Sequence, residues 1–220
     1  MVVFEDRAEA GRRLAARMDH LRGLPLVVLG LPRGGVPVAR EVARFLTAPL
    51  DVLVVRKLGV PAHPELAMGA IGEGGARVLD RDVLRRVGVS AAALAAVERR
   101  ERGELERRVG RLRAEHARLD LAGRTAVIVD DGMATGSTAR VACQVARQLG
   151  AGRVVLGVPV APAETLAALA ATETVICVEV PRRFLSVGSH YRDFAPTTEQ
   201  QVLDILEDPA VRGPGPRRDT

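Results

Sequence analysis

The chain has 220 residues, a formal net charge of +5 and 47% hydrophobic residues, which suits one α/β domain with a proper core. No apolar run approaches the roughly 20 residues of a membrane span, and Glu5, Asp6 and Glu9 stand where a secretion signal would need an apolar segment, so a cytoplasmic protein with no membrane partner is expected. The charge is almost wholly arginine, Lys57 being the only lysine, and with acids interleaved and aromatics at 2% this argues for compositional drift or heat adaptation rather than nucleic-acid binding.

Residues 5–22 place Ala8, Leu14, Ala15, Met18 and Leu21 at helical spacing and read as an amphipathic first helix. A short apolar strand over 26–29, a turn Leu31-Pro32-Arg33-Gly34-Gly35 and a helix over 36–45 follow. The next strand is 51–55. Residues 57–75 are rich in Gly and Pro and show no sustained period. They read as a long loop of the functional or mobile kind, and a strand over 77–79 pairing back would make it a hairpin tip. Residues 80–118 are helical in pattern, with Ser90 as N-cap and opposite charges at Glu98–Arg102 and Glu104–Arg108. This segment reads as a solvated helix. A strand over 125–130 and a helix over 137–149 come next, then a strand over 153–158 and a helix over 162–170 opening on Pro162. A strand over 175–180, an irregular stretch 181–196 and a helix over 197–206, capped by Thr197 or Thr198, complete the series. From Glu207 onward Pro, Gly and Arg dominate and a disordered tail is expected. Cys143 and Cys177 suggest two reduced core thiols, with neither a disulfide framework nor metal-ligand spacing. Strands alternating with helices predict a parallel sheet flanked by helices on both faces. In such a sheet the turns after 29, 55, 130, 158 and 180 meet at the carboxyl edge, where ligands bind.

The most informative stretch is Ala126-Val-Ile-Val-Asp130-Asp131-Gly132-Met133-Ala134-Thr135-Gly136-Ser137-Thr138. It reads as buried strand, acid pair, phosphate cradle and helix mouth. Backbone amides and the hydroxyls of Thr135, Ser137 and Thr138 suit a phosphate, helped by the positive end of the helix. Two carboxylates beside a phosphate suit a ligand that also brings hydroxyl donors or Mg²⁺, as a ribose 5-phosphate does. A Walker loop is excluded because Gly136-Ser137-Thr138 lacks the lysine, and the dinucleotide fingerprint because it has no paired acids.

This stretch resembles the donor-binding signature of type I phosphoribosyltransferases. The resemblance covers the sheet and its edge loops over residues 24–195 and implies a Rossmann-like single domain over 1–206, with a flexible lid loop 57–76 and a small C-terminal hood 181–196; the helical insertion 80–118 is not diagnostic. It implies transfer of a 5-phosphoribosyl group from 5-phosphoribosyl-1-pyrophosphate to a nucleobase or base-like nitrogen, with release of pyrophosphate. Mg²⁺, held mainly through the substrate, is the implied cofactor. Asp130 and Asp131 would take the ribose hydroxyls, directly or through the metal's water shell, and residues 132–138 the 5′-phosphate. The turn with Arg33, Gly34 and Gly35 looks like the family's pyrophosphate loop, in which relatives can carry a cis peptide, here at Pro32-Arg33 or Arg33-Gly34. One or both of Arg56 and Lys57 would reach the pyrophosphate. His63, Glu65 and Glu73 lie in the lid, and a surface role leads for each.

The acceptor stays open on this reading. Ala134 stands where hypoxanthine/guanine enzymes carry a third acid, as in adenine- and uracil-type relatives. Pro181-Arg182-Arg183-Phe184 points the other way, resembling the hypoxanthine enzymes' segment whose Phe stacks on the base. That makes Phe184 the stacking candidate and Leu185 a source of backbone contacts, yet the lysine those enzymes place upstream is missing. Core packing leads for Tyr191 and Phe194. The alternative function is a non-catalytic sensor of the same donor or of a nucleotide. Family members are often dimers, and a homodimer is a further expectation, though no stretch marks an interface.

Overall fold

The computed structural model describes residues 3–114 and 116–211, with Glu65 described by its backbone alone. Five strands, β1 Leu26–Gly30, β2 Leu50–Val52, β6 Thr125–Val129, β7 Arg153–Val160 and β8 Thr174–Glu179, form a parallel sheet in the order β2-β1-β6-β7-β8. Val28 lies opposite Leu50 on one side and Val127 on the other, which sets the register of the sheet centre. β1 and β6 are buried along their whole length, as strands covered on both faces must be. Side chains alternate between the two faces with the strand period. Val28, Val127 and Val129 pack with Leu14 of α1 (Arg7–Ala16), Met18 just after it, Val38 and Val42 of α2 (Gly35–Leu46) and Val202 of α7 (Glu199–Glu207). Val27, Leu29, Ala126 and Ile128 pack with Val141, Cys143 and Val145 of α5 (Ser137–Gln148) and Leu169 of α6 (Ala163–Ala170).

The segment read as an irregular loop is ordered otherwise. The main sheet's strand stops at Val52, and the chain leaves it to form β3 (Val55–Val60) and β4 (His63–Gly72), an antiparallel hairpin, with β5 (Arg77–Leu79) pairing back onto β4. The expected pairing of 77–79 holds, but the hairpin reaches almost its full length and only Pro61 and Ala62 turn it. The glycines that signalled a loop serve close approach instead. A Cβ on Gly59 would sit 2.5 Å from the Pro64 carbonyl oxygen, one on Gly69 2.5 Å from that of Val78, and one on Gly72 2.5 Å from Val145 Cγ1 of α5.

The helical insertion is α3 (Arg81–Val87) and α4 (Ala91–Leu112), parted by Gly88 at φ +70°. Ser90 caps α4 as expected, its hydroxyl accepting from the Ala93 amide at 3.1 Å. Glu98 pairs with Arg102 at 2.9 Å, but Glu104 pairs with Arg107 rather than Arg108. The helix is not merely solvated: Val97, Glu101, Leu105 and Leu112 are buried, forming one stripe that covers the hairpin. At the far end Thr198 makes a capping box with Gln201. The expected disorder from Glu207 does not hold up to Val211, which is 2% exposed and whose carbonyl accepts from the Leu50 amide at 2.8 Å; residues 212–220 lie outside the described residues. Both cysteines are free thiols, and burial pushes Cys143 up to about 12 and Cys177 up to about 11, which keeps them protonated. No helix among the described residues is long and apolar enough to cross a membrane.

Candidate active site

The turn after β1 and the acids after β6 are built against each other. The Leu31 amide donates to the Val129 carbonyl at 2.9 Å, which docks the first turn onto the end of β6. The Pro32-Arg33 peptide is cis. A Cβ on Gly34 would lie 2.0 Å from Asp131 Oδ2, and one on Gly35 2.6 Å from the Val129 carbonyl oxygen. Neither glycine has a positive φ; both are required because the turn's backbone lies directly on the acid pair.

Asp131 is fixed from three sides. Arg7, at the start of α1, sets Nε and Nη2 each 2.9 Å from Asp131 Oδ2. The same guanidinium donates to the Ala195 carbonyl at 2.7 Å and lies 4.0 Å over the Phe194 ring. Tyr191 donates its hydroxyl to the Asp131 carbonyl at 2.6 Å. Asp130 Oδ1 accepts from the Asp131 amide at 2.9 Å. Burial first, and then the neighbouring charge of Asp131, push the Asp130 carboxyl up to about 8. Burial also raises Asp131, with Arg7 pulling against it.

Beyond the acids, residues 132–138 run from β6 into α5. The Met133 amide donates to the Val160 carbonyl at 2.9 Å, and the Thr165 hydroxyl donates to the Ala134 carbonyl at 2.6 Å, so β7 and α6 hold this loop from behind. Gly136 turns the chain at φ +70°, where an added Cβ would meet Leu169 and Thr165 at 2.9 and 3.0 Å. It leaves the N-terminus of α5 without a side-chain cap. The first amides of α5 therefore have no intrahelical acceptor and point outward beside the hydroxyls of Thr135 and Ser137, which lie 3.1 Å apart. On the other side of Thr138 is a cavity of about 490 Å³. Leu31 and Pro32 of the first turn, Arg56 and Lys57 of β3, Thr138 of α5 and Arg100, Glu101 and Arg108 of α4 line it.

The edge of a parallel sheet thus brings together an acid pair, a helix mouth with hydroxyls and a cationic cavity. A family model described as the phosphoribosyl transferase domain matches residues 4–189. The chain belongs to the phosphoribosyl transferase family. Two Mycobacterium tuberculosis proteins, from strains CDC 1551 and H37Rv and provisionally named phosphoribosyl transferases, are each 56% identical over 208 residues, covering 94% of this chain and 47% of theirs. The chain spans about half the length of these curated relatives. The crystal structure of TT1426 from Thermus thermophilus is 44% identical with a TM-score of 0.89, over 96% of this chain and 100% of that one.

Within this phosphoribosyl transferase domain, Asp130, Asp131, Gly34, Gly35 and residues 132–138 converge as expected, and Lys57 lies at the cavity beside them. Arg56 lines the same cavity, but its Nε and Nη2 are held by Glu101 Oε2 at 2.9 and 2.6 Å. Arg33 is exposed and faces a smaller cavity of about 260 Å³ on the far side of Pro32. Phe184 and Leu185 line neither. Phe184 stacks on His190 with ring centroids 5.5 Å apart and packs against Phe4, Val160 and Tyr191, while Leu185 is 88% exposed. Tyr191 is buried, in keeping with a packing role, and Phe194 carries the Arg7 guanidinium. Of the residues expected in a lid, His63 is exposed at the hairpin tip and Glu73 is buried in an ion-pair cluster; the side chain of Glu65 lies outside the described residues.

The sequence reading missed Arg7 and Glu101. Arg7 carries no local signal, because its partner is 124 residues away. Glu101 did carry one: it sits midway between Val97 and Leu105 on the apolar stripe of α4, where an acid needs a buried partner.

The raised Asp130 carboxyl sets a pH dependence of stability. A carboxyl with a folded pKa above its unfolded value binds its proton more tightly in the folded chain. Its stabilising contribution is full below the ordinary aspartate value of 3.8 and is lost as pH rises towards about 8. Asp130→Asn is therefore expected to melt above the parent at pH 8, by a few degrees for a gain of about 1–2 kcal/mol. The gap should close towards pH 4 in thermal melts across that range. A variant that melts below the parent at pH 8 would contradict the assigned burial and charge coupling.

Proposed function

We propose that this domain transfers a 5-phosphoribosyl group from 5-phosphoribosyl-1-pyrophosphate to a nucleobase or base-like nitrogen, releasing pyrophosphate. The observation that carries the reading is the acid pair packed directly on the glycine turn, with the mouth of α5 on one side and the cationic cavity on the other. A ribose laid over the pair would give its 2′- and 3′-hydroxyls to Asp130 and Asp131. Its 5′-phosphate would take the α5 amides and the hydroxyls of Thr135, Ser137 and Thr138. Its diphosphate would lie towards Pro32, Lys57 and the arginines, whose charge offsets that of the leaving group. Nitrogen attack on the anomeric carbon passes through an oxocarbenium-like state. The domain holds the sugar and draws off the leaving group's charge, with no covalent protein intermediate.

Mg²⁺ fits this arrangement as a companion of the substrate. Among the described residues no three His, Cys, Asp or Glu gather to hold a metal, and the acid pair supplies hard oxygen donors for its water shell. When bound, the ion would neutralise diphosphate charge, and Asp130 and Asp131 would orient it. A cytoplasmic location and a dimeric assembly belong to the same reading.

The test is a product screen: protein, donor and Mg²⁺ are incubated with each nucleobase, and pyrophosphate and nucleotide are quantified. Pyrophosphate release that requires one base is the expected result. Release without any base would mark a hydrolase, and donor binding without turnover would mark a sensor.

A further inference from the structure

We infer that Arg108, on the inserted helix α4, binds the diphosphate of the donor, so that α4 forms a fixed wall on the leaving-group side. This rests on the proposed function and adds a residue to it.

Among the described residues, Arg56, Lys57, Arg100 and Arg108 line the larger cavity together with the carboxylate of Glu101. Glu101 already takes hydrogen bonds from Arg56 and from Arg100, which offsets part of their field and fixes their direction. Arg108 has no ion pair among the described residues, although it is half-buried. A partly desolvated guanidinium without a counter-charge, facing a cavity, is a site for an anion.

Position sharpens the argument. Among the described residues Arg108 and Pro32 line both cavities, so Arg108 borders both compartments. In the smaller cavity Arg107 and Arg111 are taken up by Glu104 and Glu199. Arg33, like Arg108, has no ion pair among the described residues. Two unpaired guanidinium groups thus flank Pro32, and a diphosphate offers two anionic groups to match them, each able to accept a forked pair of N–H bonds.

Arg108 is also pre-positioned. Leu105 and Leu112 are buried on either side of it along α4, and the Glu101–Arg56 pair ties the helix to β3. The backbone that carries Arg108 is thus in place before an anion arrives, and only the side chain has to be ordered.

Calorimetry with the full chain and Mg²⁺ tests this against three ligands: inorganic pyrophosphate, 5-phosphoribosyl-1-pyrophosphate and ribose 5-phosphate. Arg108→Gln is expected to weaken the two diphosphates by about 10–100-fold, the loss of one charge-assisted pair, and to leave ribose 5-phosphate within about twofold. Arg108→Lys should recover part of the loss. Equal pyrophosphate affinity in parent and Arg108→Gln would overturn the role of Arg108 while leaving the donor site standing. An equal loss for all three ligands would overturn it too, as a general structural effect. Failure of the parent to bind the donor at all would remove the proposed function and this inference with it.

Discussion

Replacing Asp130 and Asp131 together by asparagine is expected to weaken 5-phosphoribosyl-1-pyrophosphate binding by about 100-fold or more. Each carboxylate that accepts a ribose hydroxyl makes a charge-assisted hydrogen bond of about 1.5–3 kcal/mol, and tenfold in affinity is about 1.4 kcal/mol. Asparagine keeps the shape and an acceptor oxygen, so Arg7 retains a partner at position 131 and the glycine turn still packs on the pair. The loss would therefore report charge rather than a collapsed site. The fold provides its own control, because relieving the buried acids should make the variant at least as stable as the parent above neutral pH. A variant that melts no lower than the parent yet binds the donor far more weakly separates site from scaffold. Undiminished affinity by calorimetry would refute the placement of the ribose on this pair. The coupling has a physical sense: two carboxyls held close in a partly dry site cost stability, and a ligand with hydroxyls or a bound cation relieves them.

The centre of this site was legible in the sequence because it is local. Strand, acids, turn and helix mouth fall within residues 125–138, and the period change from strand to helix is visible there. The parallel sheet was legible for a related reason: strands buried on both faces read as unbroken apolar runs. What escaped depends on pairs distant in the chain. β3 and β4 hid because Gly59, Gly69 and Gly72 look like loop residues until the neighbouring backbone is known to lie within reach of an added Cβ. The covering role of α4 hid among its arginines and glutamates, where Val97, Leu105 and Leu112 recur only every two turns. Arg7 reaches Asp131 because the N-terminal segment pairs with the stretch around Tyr191, the Phe4 amide donating to the His190 carbonyl at 2.9 Å. Nothing in residues 3–7 alone announces that contact.

Arg113→Met is expected to destabilise the domain by about 3–5 kcal/mol, a fall in melting temperature on the order of 10 °C. Arg113 follows α4 and is 12% exposed at its side chain, between Asp51 at 4% and Glu73 at 5%. Its Nη1 lies 2.5 Å from Asp51 Oδ1, Nε lies 2.9 Å from Glu73 Oε2, and Nη2 donates to both Glu73 Oε1 and the Val52 carbonyl at 2.9 Å. Burial alone would lower its pKa, but the bond from Glu73 and the charges of Asp51 and Glu73 outweigh it, so the group stays charged. Both acids also serve the backbone, Asp51 accepting from the Val52 and Leu119 amides at 2.7 and 2.9 Å and Glu73 from the Val54 amide at 3.4 Å. Methionine would leave two buried carboxylates without a cation, the situation in which breaking an ion cluster costs most. The cluster sits where the chain leaves β2 for β3, so it anchors the strand that carries Arg56 and Lys57 to the cavity. Adding Asp51→Asn and Glu73→Gln should return more than half of the lost stability, since neutral amides need no counter-ion. A melt of Arg113→Met within about 2 °C of the parent would mean that water reaches this corner and screens it.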